Sequence, residues 1–144
     1  MMKTFFILVL MLIMSILLVP LRGICMMEDG EKMVRSGRIM VEKGKKMQEG
    51  TMIDKKAMVE EGAIMMQDGE RMMMEGEMMK KKNMMKAGEM MIECGKIMIE
   101  KGKMMKEGTM KGKKVMMEDG EVMIKKGEML IEKGGMVQKG KILE

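Results

Sequence analysis

The sequence predicts an all-α chain, either one long amphipathic helix or a set of helical hairpins. Three observations carry that expectation: a glycine-and-methionine pattern, its helical period, and the absence of alternation. Glycine recurs at Gly30, Gly37, Gly44, Gly62, Gly69, Gly76, Gly88, Gly95, Gly102, Gly120, Gly127 and Gly134. Three residues after each comes an apolar anchor: Met33, Met40, Met47, Met65, Met72, Met79, Met91, Met98, Met105, Met123, Leu130 and Val137. The unit is G-x-x-M-x-x-x.

Most steps between successive anchors are seven residues. Met47 to Met58 and Met105 to Met116 are eleven, and Met79 to Met91 is twelve. Counting each seven as two turns and each longer step as three, the 104 residues from Met33 to Val137 make 29 turns, or 3.59 residues per turn. An α-helix has about 3.6. A strict seven drifts by ~20° for every two turns, and an eleven corrects that drift. The pattern therefore reads as a mixed heptad–hendecad helix with coiled-coil-like packing.

A strand reading fails on the arrangement of apolar residues. They come as adjacent runs, such as Ile97-Met98-Ile99 and Met129-Leu130-Ile131, and do not alternate. Met, Leu, Glu and Lys favour helix, while Gly opposes it. The Gly-rich, mixed-charge composition leaves a partly disordered chain as the fallback.

Residues 1–25 read as a signal peptide or N-terminal anchor. Lys3 gives a charged start, Phe5 to Val19 is nearly unbroken apolar sequence, and Gly23 and Cys25 offer cleavage positions before Met26. The run is short for a membrane span of about 20 residues, which favours cleavage. The rest of the chain is then expected to be secreted or otherwise outside the cytoplasm. A membrane contact would come only through residues 1–25, if they stay attached.

Residues 26–144 form one Met/Gly-rich helical region without proline. Within it, residues 42–62 match residues 100–120 at 14 of 21 positions, which marks construction by repetition. Gly50, Gly108, Gly112, Gly135 and Gly140 lie off the main stripe. Together with Lys80-Lys81-Lys82-Asn83 they are the expected kinks or helix-to-helix turns.

The stripe itself demands a partner surface. Each interior glycine costs about 1 kcal/mol relative to Ala, so twelve cost on the order of 10 kcal/mol. Close approach by a second helix would offset this, with methionines of the partner lying over the glycines, as small residues do between membrane helices. That helix belongs either to the same chain or to another, so self-association is the expected partner interaction.

Composition excludes several function classes. The net charge is +5, and removal of residues 1–25 takes away Lys3 and Arg22 and no acid, leaving +3. Glu and Lys alternate, so there is no clustered basic footprint for nucleic acid. No GxGxxG or P-loop pattern occurs, and no cofactor is expected. There is no His or Tyr and no nucleophile–base set, so no catalytic residue is assigned and an enzyme is not expected. The acid pairs Glu28-Asp29, Glu60-Glu61 and Glu118-Asp119 are read as parts of a solvated charged face.

Thirty-one methionines raise the question of soft-metal binding, because thioethers suit Cu(I). After residue 25 no two methionines are three apart, and only Met74 and Met78 are four apart. Core filling is therefore preferred, and Met72, Met73, Met74 and Met78 are the weak metal candidates. Cys94, the one thiol left after removal of residues 1–25, is a candidate for an intermolecular disulfide or a buried inert residue.

The expected function is that of a secreted, non-enzymatic repeat protein acting by helix packing and self-association in a structural or matrix role. The alternatives are a Cu(I) buffer or oxidant sink outside the cytoplasm, and an amphipathic helix on a membrane surface.

Overall fold

The computed structural model describes residues 2–49, 55–110 and 112–141, with side chains described from Met26 onward within those ranges. It contains four helices: α1 (Met2–Glu49), α2 (Lys55–Lys81), α3 (Met85–Lys106) and α4 (Lys113–Gln138). No strand occurs among the described residues. The signal or anchor expectation rests on the side chains of residues 1–25, which lie outside that description, as does Gly50.

The helices pack as two intimate antiparallel pairs, α1 with α4 and α2 with α3. The hairpin arrangement is thus the one adopted, and no single uninterrupted helix runs through the region. The three long anchor steps coincide with helix boundaries. Met47 to Met58 straddles α1 and α2, Met79 to Met91 straddles α2 and α3, and Met105 to Met116 straddles α3 and α4. Each helix carries only sevens. Over two or three such steps the drift reaches only about 40–60°, which an individual helix tolerates without correction.

Three helix ends close in the same way. Asn83, Gly108 and Gly140 have φ values of 65°, 66° and 73°. The residue after each donates its backbone N–H back five positions: Met84 to Met79, Thr109 to Met104, and Lys141 to Met136, all at 3.0 Å. This is the Schellman closure, which needs a left-handed residue at its corner. Gly112, at φ 94°, precedes α4. Gly135 does not turn the chain: it lies inside α4, where nothing within 4 Å opposes a side chain.

The core lies between the two pairs. Met33, Met40, Met47, Met65, Met72, Met79, Met91, Met98, Met105, Met123 and Leu130 are all 0% exposed and belong to one cluster. It is a thioether core. Flexible, unbranched side chains fill irregular space well, so close packing here tolerates the absence of aromatics.

Candidate functional site: the glycine and ion-pair seams

The stripe glycines face one another across each helix pair. Gly30 meets Gly134, Gly37 meets Gly127, and Gly44 meets Gly120 between α1 and α4. Gly62 meets Gly102, Gly69 meets Gly95, and Gly76 meets Gly88 between α2 and α3. A Cβ built on any of the twelve would stand 2.5–2.8 Å from the facing glycine's carbonyl oxygen. That obstacle is backbone, so no rotamer change relieves it. Only glycine permits this approach.

Partner methionines do border the glycines: Met33, Met40, Met47, Met65, Met91 and Met105 bring a Cβ, and Met66 and Met73 a Cγ, to 2.8–3.1 Å from the built Cβ positions, but the nearest approach is by backbone. Glycine lies on glycine, and the side chain flanking each contact comes mostly from four residues after the facing glycine. Ile92, Ile99, Ile124 and Ile131 play this part, as do Val34, Val41, Met66 and Met73. The methionine anchors border the seam at their Cβ and are buried in the core cluster. Cα–H···O contacts between close helices are worth ~0.5–1 kcal/mol each, against the ~1 kcal/mol that each glycine costs in helix propensity.

One numerical rule covers both pairs. In all six contacts the two residue numbers add to 164. Each stripe glycine of α1 and α2 also has a counterpart 58 residues later. Gly30 faces Gly134, the counterpart of Gly76, while Gly76 faces Gly88, the counterpart of Gly30. The α1–α2 half and the α3–α4 half are therefore self-complementary in the manner of an isologous interface.

The other two seams are polar at their edges. Between α1 and α2, Lys82 donates to both carboxylate oxygens of Asp29 at 3.0 Å, Arg35 donates to Glu75 at 2.8 Å, and Lys43 pairs with Glu61. Between α3 and α4, Lys101 pairs with Asp119 at 3.0 Å and Lys126 donates to Glu93 at 2.6 Å. Burial works against the charge on Lys101, but Asp119 and Glu100 outweigh it and hold its pKa above the ordinary value. The hydrogen bond to Glu93 likewise raises Lys126.

These seams overturn the assignment of the acid pairs to a wholly solvated face. Asp29 is 1% exposed, whereas its neighbour Glu28 is on the surface. Glu61 and Asp119 are also drawn inward, while Glu60 and Glu118 stay in solvent. The rule that separates them is position. The buried polar residues Asp29, Ser36, Lys43 and Glu75 each directly precede a stripe glycine. That position rotates into the α1–α2 seam once the glycine is pressed on its partner helix.

The weak metal candidates are not brought together. Met72 is in the core, Met73 lies against Gly95, and Met74 and Met78 are exposed. Among the described residues no three His, Cys, Asp or Glu side chains are grouped to hold a metal. Cys94 is free and 3% exposed; burial, with Glu93 adding to it, pushes its thiol up to about 12. A thiol that is covered and protonated is a poor partner for an intermolecular disulfide, so the inert packing role is the one its surroundings fit.

No protein-family model, curated protein or solved structure matches the chain.

Proposed function

We propose that this is a non-enzymatic structural protein of the non-cytoplasmic side, acting by helix packing and by association with further copies of itself. The observation that carries the reading is the reciprocal glycine contact, repeated six times. The most regular feature of the sequence is used to bring backbones together, not to shape a cleft. The self-complementary halves supply the means of association, because a surface that fits its own counterpart within the chain also fits it on another copy.

The membrane-surface alternative has less support. The apolar sector such a helix would insert is covered by the other helix pair. The oxidant-sink alternative draws on a specific observation, the exposure of Met27, Met74, Met78, Met85 and Met117. Exposed thioethers are open to reversible oxidation, and a structural protein can have that capacity as well.

Sedimentation velocity over a concentration series, with far-UV circular dichroism, tests the proposal. A helical chain that associates reversibly is expected. A helical chain that stays monomeric at every concentration would remove the self-association, and a non-helical chain would remove the whole reading.

A further inference from the structure

Two breaks in the helical course are flanked by helices that pair with one another. α1 gives way to α2 between Glu49 and Lys55, and α3 to α4 between Lys106 and Lys113. The pairing rule of 164 holds for the helices on either side of them, α1 with α4 and α2 with α3. The spacing across them is also unusual. Gly44 to Gly62 is 18 residues, and so is Gly102 to Gly120. Eighteen residues are about five full turns of α-helix. A continuous helix through either break would therefore keep the glycine stripe on one face.

A bundle that only folds back at these points has no need of that phase. The α2–α3 turn, where a reversal is compulsory, does not keep it: Gly76 to Gly88 is 12 residues, about a third of a turn out. The equal length of the two connections accompanies the duplication of residues 42–62 as 100–120. Its result is that α1·α4 and α2·α3 share one register.

We infer that the partner of this chain is a second copy, acquired by domain exchange. In the exchanged form both breaks straighten into helix, and each chain becomes one long glycine-paired hairpin with the α2–α3 turn at its tip. Two such hairpins lie antiparallel. The α1–α4 half of each covers the methionine face of the other's α2–α3 half. Every glycine contact stays within its chain. The core and the seam pairs Asp29–Lys82, Arg35–Glu75, Lys43–Glu61, Lys101–Asp119 and Glu93–Lys126 all re-form between chains.

What holds the closed form is local. Gly108 and Gly112 sit at φ 66° and 94°. A Cβ on either would meet nothing within 4 Å. Alanine there penalises the closed connection through its dihedrals alone and favours the straightened helix. The inference rests on the structural reading above and gives its mode of association.

The test uses the whole chain carrying Cys25→Ser, Glu93→Cys and Lys126→Cys, treated with a short bis-maleimide. Cys94 is buried and does not compete. In the closed monomer residues 93 and 126 are linked within one chain, and in the exchanged dimer they are linked between chains. Gly108→Ala with Gly112→Ala should raise the dimer fraction by roughly tenfold or more, with interchain links. Inserting two residues between Gly108 and Thr109 shifts one arm out of register while merely lengthening the closed connection, a small change. That variant should remain a monomer.

Dimers whose links are all within chains would overturn the exchange while leaving self-association standing. A helical double-alanine variant that stays monomeric would also overturn it. Should that variant lose its helicity, the parent chain refolded from denaturant at high concentration carries the same link readout, with interchain links expected and purely intrachain links contradicting the inference.

Discussion

Gly37 and Gly127 face each other so closely that a Cβ built on either would lie 2.5 or 2.6 Å from the other's carbonyl oxygen. Two helices can come this near only where both are bare. The contact recurs one heptad away on each side, with Gly30 against Gly134 and Gly44 against Gly120. Sequence period, helix approach and core composition are linked here. The heptad keeps the glycines aligned, the alignment brings backbone to backbone in one seam, and the methionines that border that seam fill the core.

The acid pair at the start of the bundle separates a buried ion pair from a surface one. Asp29→Ala removes the acceptor of Lys82 from a nearly closed site, and is expected to destabilise the bundle by about 1.5–3 kcal/mol, as for hydrogen bonds to charged groups. Glu28→Ala removes only an exposed contact to Lys32 and should stay within about 0.5 kcal/mol. Urea denaturation of the two variants gives the comparison. Equal effects would show that Asp29 is solvated after all.

Ser36 offers the opposite sign. Its hydroxyl is buried without a hydrogen-bond partner among the described groups. Removing an unsatisfied polar atom is neutral or favourable. Ser36→Ala should leave the urea midpoint unchanged or raise it, and a loss of more than about 1 kcal/mol would reveal a partner that holds the hydroxyl.

Alkaline stability depends on the raised groups. The Cys94 thiol sits near 12 in the fold against an ordinary value of 9.0. Below pH 9 both states keep the proton. Above it the unfolded chain releases its proton first, so stability falls as pH rises toward the folded value. Lys101 and Lys126, raised above 10.5, act in the same direction from that point upward, because the unfolded amines are the first to lose their charge. The urea midpoint should therefore drop between about pH 9 and about pH 10, ahead of most of the lysine effect, and Cys94→Ala should flatten that interval. A wild-type midpoint that is level across it would contradict the burial of the thiol.

Oxidation should divide the methionines in two. Met27, Met74, Met78, Met85 and Met117 stand in solvent, while the core anchors are 0% exposed. Under mild peroxide, peptide mass spectrometry should find sulfoxide at these five before the core anchors, with helicity retained. Sulfoxide on a core anchor introduces a polar group where no partner exists, so its appearance should coincide with loss of helicity. Even oxidation of both groups in a fully helical chain would show that the core opens readily.

Much of this architecture is legible in the residue pattern, and its failures are instructive. The helical period, the packing purpose of glycine and the turn at Lys80–Asn83 can all be read from apolar spacing and backbone freedom. The breaks between α1 and α2 and between α3 and α4 are hidden by the same spacing. Eighteen residues make whole turns, so a phase argument returns one answer for a straight helix and for an interrupted one. Gly108 and Gly112 do show in the sequence as off-stripe glycines, but Gly135 looks the same and is helical. The difference lies in the neighbouring residues: Gly135 precedes Met136 and the anchor Val137, which still have a core to reach. The burial of Asp29 beside solvated Glu28 was not legible, because it depends on which side of the glycine stripe meets the second helix pair.

The most direct measurement compares two alanines. Gly37→Ala gains helix propensity but drives a Cβ into the Gly127 carbonyl, and it should destabilise the bundle by about 2–3 kcal/mol or more, in the range of overpacked cores. Gly135→Ala meets open space and should stabilise it by roughly 0.5–1 kcal/mol. Opposite signs in parallel urea denaturations support backbone-to-backbone packing along the stripe. Stabilisation by both alanines would contradict it.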